Sequence, residues 1–170
     1  MLRLSFLIMV FIPAMTFCQE INRMVFDEKL EKEVLCGYCN KDGLLSGDFR
    51  EHYGNYYEAY SPDSLVLGRL KNLLPGISIT VILGTWCSDS QEQVPAFYKI
   101  IDRAGYDTAL LTQICVNRSK EACGVSVENL SITLVPTFIF YRGGKECGRI
   151  TETPETTLEN DMLKILTTPE

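Results

Sequence analysis

A β-branched run, Ile77 to Leu83, leads through Gly84-Thr85 into Trp86-Cys87-Ser88-Asp89-Ser90, and a helical pattern begins directly behind it. This order dictates a strand, a tight turn and a helix, with Cys87 at the junction. Backbone N–H groups converge at such a junction, and the helix dipole there favours a thiolate over a thiol. Three residues on, where a second cysteine would close a disulfide inside the same turn, the chain carries Ser90. The turn is equipped to start thiol chemistry but not to finish it alone.

The surrounding pattern places this junction in an α/β domain. Ser61-Pro62-Asp63 reads as a helix start, with Leu65, Leu70, Leu73 and Leu74 on its apolar side and Pro75-Gly76 as its end. Ile77 to Leu83 reads as a strand buried on both faces. Val94, Phe97, Tyr98 and Ile101 recur at helical spacing over 90–104, and Gly105 suits the C-terminal cap. Residues 109–116 form a second strand, and a less defined segment runs through 119–131. Thr137 to Tyr141 and Lys145 to Thr151 read as a hairpin closed by Gly143-Gly144. Thr153-Pro154-Glu155 opens a last helix with Leu158, Met162, Ile165 and Leu166 inward. The expected result is one parallel crossover followed by an antiparallel pair.

Residues 1–18 read as an export signal: Arg3, then the apolar run Leu4 to Ile12, a break at Pro13, and small residues Thr16 and Cys18 before a cut at Gln19. The run is short for a membrane span. A lipid anchor at Cys18 is disfavoured by bulky Phe17 just before it. Losing Arg3 with this segment takes the net charge from −6 to −7. An acidic chain without a Lys/Arg cluster is a poor fit to nucleic acid. Residues 19–60, rich in charge and tyrosine, read as a helical N-terminal extension with helices near 24–35 and 46–58. The domain proper is expected over 61–170. The tyrosines at 53, 56, 57 and 60 read as packing and His52 as a surface or interface residue.

Four features now line up: Trp86-Cys87 at the end of a buried strand, Pro95 inside the following helix, Val135-Pro136-Thr137 before the hairpin, and Gly143-Gly144 within it. Over roughly residues 60–168 this resembles the thioredoxin family, and most closely exported bacterial thioredoxin-like proteins. The resemblance implies a thioredoxin-like fold with a central mixed sheet flanked by helices. It implies that Trp86 and Cys87 match the family's Trp and attacking Cys, that Pro95 matches its kinking proline, and that Pro136 matches its cis-proline. Two departures stand out. Ser90 replaces the resolving cysteine, and Val81 stands where typical members keep a buried acid.

The expected chemistry is therefore thiol–disulfide exchange on protein thiols or disulfides through one attacking sulfur. Cys87 would attack and Ser90 would hydrogen-bond the sulfur, while the charge on Asp89 would oppose ionisation. Trp86 would shape the substrate face, and Val135 and Pro136 would offer backbone to an extended segment. Attack would end at a mixed disulfide unless the substrate's own thiol, a small external thiol or another cysteine of the chain completes the exchange. A redox-inactive platform that grips an extended partner is the alternative, and a peroxide or small-thiol enzyme a third. No cofactor is implied, since there is no phosphate-binding glycine loop.

Five further cysteines remain beyond residue 18. Cys36-Gly37-Tyr38-Cys39 is a second C-x-x-C, but the charged run before it is unlike a buried strand. It reads as a local disulfide or a pair of half-buried thiols, with a second redox pair able to resolve Cys87 as the alternative. No four-ligand zinc set is apparent, and no metal is expected. Cys115 and Cys147 fall in strands and read as core residues, whereas Cys123 follows a charged segment and is a candidate disulfide partner.

Overall fold

The β-branched run becomes β4 (Ile77–Leu83) because its neighbours complete its ladder on both sides. The computed structural model describes residues 20–169. The segment read as an export signal, Cys18 included, lies outside them. β4 pairs in parallel with β5 (Leu111–Cys115) and antiparallel with β6 (Thr137–Arg142). β6 turns back into β7 (Lys145–Thr151) across Gly143-Gly144, both at positive φ as a two-residue hairpin turn requires. The short β3 (Gly37–Tyr38) adds antiparallel to β5, giving the sheet order β3-β5-β4-β6-β7.

The helices are α1 (Lys41–Leu44), α2 (Phe49–Ala59), α3 (Ser64–Leu73), α4 (Ser88–Ala104) and α5 (Leu158–Thr167). One sheet face carries Ile77, Ile79, Val81, Leu83, Phe138 and Phe140, and all five helices contribute apolar side chains to the cluster built on it. Phe97 and Phe138 meet there with ring centroids 4.9 Å apart. Each such large side chain, buried completely, contributes about 1.5–3 kcal/mol. The other face is covered differently. Ile82 and Ile114 pack against Val116, Ala122 and Val135, which belong to the irregular segment between β5 and β6. Toward the start of β4, Ser78 and Thr80 on this face are only half-buried. Burial on both faces, expected for all of β4, holds only at its carboxyl end.

From β4 to α5 the order is strand, helix, parallel strand, antiparallel hairpin, helix. With its central mixed sheet and packed helices, this is a thioredoxin-like α/β fold. Within the N-terminal part, a helix forms at 49–59 close to the expected 46–58, with Tyr53 buried and Tyr57 and Tyr60 packed on the core. Tyr56 is exposed and His52 half-buried. The expected helix over 24–35 is instead a hairpin of β1 (Met24–Asp27) and β2 (Lys32–Leu35). Asp27 makes that turn, its Oδ1 accepting from the N–H groups of Lys29 and Leu30. β3 then enters the main sheet.

Smaller shifts come from capping. Asp63, not Ser61, caps α3, accepting from the N–H groups of Leu65 and Val66. This start leaves Leu65 81% exposed rather than inward. Thr157 caps α5, four residues later than the expected start at Thr153.

Candidate functional site

The turn after β4 is held by its own backbone. Cys87 N–H donates to Gly84 O at 2.9 Å, and Gln91 N–H donates to Cys87 O at 3.0 Å as the first helical bond of α4. Cys87 is thus the N-cap residue of α4, extended at φ −92° and ψ 127°. Its side chain does not cap the helix. The sulfur is half-buried and points across the sheet end to Val135 O, 3.2 Å away. The Val135–Pro136 peptide is cis. Asp89 Oδ2 lies 3.8 Å from the same sulfur.

Trp86 is fixed from three directions. Its Nε1 donates to Val116 O at 2.8 Å. Its ring lies so close to Gly84 that a Cβ there would come within 2.6 Å of the indole Cε2. The Arg118 guanidinium sits over the ring, 4.6 Å from its centroid, at cation–π range. Arg118 is held in turn by Asp27 of the N-terminal hairpin, whose Oδ2 accepts the Arg118 backbone N–H at 2.6 Å. That hydrogen bond holds the Asp27 carboxyl below the usual carboxylate range, against the opposing effect of burial.

Ser90 has a different role from the one expected. It is fully buried, and its Oγ accepts from Gly84 N–H at 3.2 Å. The hydroxyl ties the strand end to the first turn of the helix; among the described residues no hydrogen bond joins it to the Cys87 sulfur. Val81 is buried in β4, and Pro95 lies inside the 17-residue α4.

A groove of ≈ 500 Å³ opens beside the sulfur. Cys87, Trp86 and Asp89 form one wall, and Leu134 and Val135 lie on the cis-proline side. Arg118, Lys120 and Glu152 complete it and were not anticipated from the sequence. A signal for two of them was present: Arg118 and Lys120 lie just past the carboxyl end of β5, the parallel neighbour of β4, where loops of α/β sheets line sites. Lys120 and Glu152 both adopt positive φ, 64° and 66°, although neither is glycine.

The C-x-x-C motif is separated by the fold. Cys36 is disulfide-bonded to Cys123, 87 residues away, with the Cα atoms 5.6 Å apart. Cys39 is buried, with its sulfur 2.7 Å from that of Cys115. The expected local Cys36/Cys39 disulfide or second redox pair is therefore corrected: each residue faces a different partner, because β3 lies along β5 and the two cysteines meet different parts of the following chain. Burial pushes the Cys115 thiol well up. Cys147, expected in the core, is half-exposed on the edge strand β7. Among the described residues, no group of three or more His, Cys, Asp or Glu is arranged to hold a metal ion. No described helix is long and apolar enough to cross a membrane.

No protein-family model and no curated protein matches the chain. Among solved structures, a protein of unknown function from Pseudomonas aeruginosa superposes with a TM-score of 0.50 at 13% identity, covering 71% of this chain and 78% of that one. Thioredoxin O1 from Arabidopsis thaliana in its oxidised state gives 0.40 at 20% identity, over 59% of this chain and 86% of that one. Fasciola hepatica thioredoxin gives 0.38 at 16% identity, with the same 59% and 86% coverage. At 13% identity the likeness to the first of these is one of fold alone.

Proposed function

We propose that this protein carries out thiol–disulfide exchange with Cys87 as its single attacking sulfur. The observation that carries this reading is the position of Cys87 Sγ: half-exposed, at the start of a 17-residue helix, and beside a groove. Thiolate is the reactive form of a cysteine. Attack on a substrate disulfide forms a Cys87–substrate mixed disulfide and expels the other substrate sulfur as a thiolate. With Ser90 in place of a resolving cysteine, a second thiol of the substrate completes isomerisation, or a small external thiol completes reduction. Either attack regenerates the Cys87 thiolate. Val135 O, facing the sulfur, offers an acceptor to the N–H of an extended substrate segment.

Export is part of the same reading. The apolar N-terminal segment with its Arg3, together with the Cys36–Cys123 disulfide, supports an oxidising, extracytoplasmic setting such as a periplasm. The substrates proposed are protein thiols and disulfides.

The test is turnover of scrambled ribonuclease and of insulin by wild type and Cys87→Ser, with and without added small thiol. The expected result is activity that requires Cys87, with insulin reduction also requiring the small thiol. Rates unchanged by the substitution would favour the redox-inactive platform. That alternative draws on the Asp89 carboxylate, whose Oδ2 lies 3.8 Å from the sulfur.

A further inference from the structure

The cysteines that the exchange reaction leaves unused lie together at the β3 edge of the sheet. Cys36 and Cys39 flank β3, and Cys115 and Cys123 flank the loop that leaves β5. Gly37 pairs with Cys115 and Tyr38 with Ile114, so Cys39 lies one step further, its N–H donating to Gln113 O at 3.1 Å. Alternation along the two strands puts Cys39 and Cys115 on one face, as diagonal neighbours. Their sulfurs converge to 2.7 Å, closer than the Cys87 sulfur comes to the smaller Val135 oxygen. A disulfide bond of about 2.05 Å needs only a small further approach.

We infer that Cys39 and Cys115 form a second disulfide, parallel to Cys36–Cys123, so that the C-x-x-C motif is shared between two long-range crosslinks. The consequence is a clamp. The loop between Cys115 and Cys123 carries Arg118 and Lys120, one wall of the Cys87 groove. Both ends of that loop are then tied to the same four-residue stretch of the N-terminal segment. Cys39 also lines a cavity of ≈ 520 Å³ beside Tyr38 and Lys41, which gives a small reagent a way in. With a low-molecular-weight disulfide as oxidant, the Cys39 thiolate attacks one of its sulfurs and releases one small thiol. The Cys115 thiolate then attacks Cys39 Sγ and releases the second. Two protein thiols become one disulfide, the reagent disulfide becomes two thiols, and the two protons pass from protein to reagent. Cys87 takes no part, so this inference stands or falls apart from exchange at that residue.

The experiment is disulfide mapping of the full chain, refolded from the reduced state in a glutathione redox buffer, acid-quenched, alkylated and digested. Tyr38 separates Cys36 from Cys39, so digestion with trypsin and chymotrypsin together resolves the two. The expected products are Cys39 linked to Cys115 and Cys36 linked to Cys123, with Cys87 recovered alkylated or glutathionylated. Recovery of both Cys39 and Cys115 as separate alkylated residues, or of Cys39 linked to Cys36, overturns the inference. Cys115→Ala adds a second readout: alkylation of Cys39 after unfolding should rise from near zero to complete while Cys36–Cys123 persists. If that variant fails to fold, the wild-type map alone decides.

Discussion

Cys87 and Cys115 serve neighbouring parallel strands, yet their surroundings are opposite. Cys115 ends β5, opposite Leu83 in the ladder, and faces the helix-covered core with no exposed surface. Cys87 lies four residues past Leu83, and those four residues carry it around a turn to the mouth of a groove. Burial pushes the Cys115 thiol up. Cys87 instead sits where the N–H groups of α4 converge. In this fold, the segment after a strand decides whether a sulfur at its end is sealed in the core or reaches a groove.

The sharpest way to break that comparison is chemical. Cys87→Ala should reduce exchange to the uncatalysed background, measured as insulin turbidity in the presence of a small thiol. In the native wild type, a short pulse of iodoacetamide should label Cys87 well ahead of Cys39 and Cys115; equal labelling of all three would erase the distinction. The next effect is one of stability. Removing the disulfide by Cys36→Ala with Cys123→Ala opens a crosslink across 87 residues of sequence. A loss of about 2–5 kcal/mol is expected in urea unfolding. Cys87 should still be labelled first in the folded variant, since its turn is closed by bonds from Gly84, Ser90 and Gln91 rather than by the crosslink.

The two regions were unequally legible in the sequence. The β4 turn could be read because every signal in it is local: a β-branched run, a glycine, then helical spacing that continues to Gly105. The hairpin at 24–35 could not. Asp27-Glu28-Lys29-Leu30-Glu31-Lys32-Glu33 has helical propensity, and the contact that ties the hairpin to the rest of the chain is distant: Arg118 N–H on Asp27. The same holds for the cysteine partners, which depend on β3 finding β5. At Ser90 the residue was identified but its orientation was not, because a hydroxyl at that position can face either the sulfur or the preceding strand. Leu65 misled for a related reason: moving the cap from Ser61 to Asp63 turns it outward.

Gly84→Ala probes the Cys87 side more gently. A methyl group there would meet the indole of Trp86 at 2.6 Å, so the ring must shift, which disturbs its contacts with Val116 O and Arg118. Overpacking of this kind costs about 1–3 kcal/mol. Trp86 is the chain's sole tryptophan, so its emission reports the movement directly. A red shift with slower exchange is expected. An unchanged spectrum would mean that the ring is not held by this contact.

The smallest effect expected comes from Asp27→Asn, which tests whether the N-terminal hairpin steadies the groove wall. Asp27 has a folded-state pKa below its unfolded value because Arg118 N–H donates to its carboxylate. A carboxyl group shifted downward stabilises the fold fully above its unfolded pKa of about 3.9, and that contribution fades as pH falls through the folded value. Wild type should therefore exceed Asp27→Asn in urea midpoint at pH 7, and the gap should narrow below about pH 4. The amide oxygen of Asn still accepts one hydrogen bond, so the hairpin turn can persist while the charge is lost. Since Arg118 covers Trp86, the variant should also show a slight change in Trp86 emission at pH 7. A midpoint gap that stays constant down to about pH 3, well below the unfolded carboxylate value, would show that the carboxylate charge is not the force that holds the Arg118 loop against the hairpin.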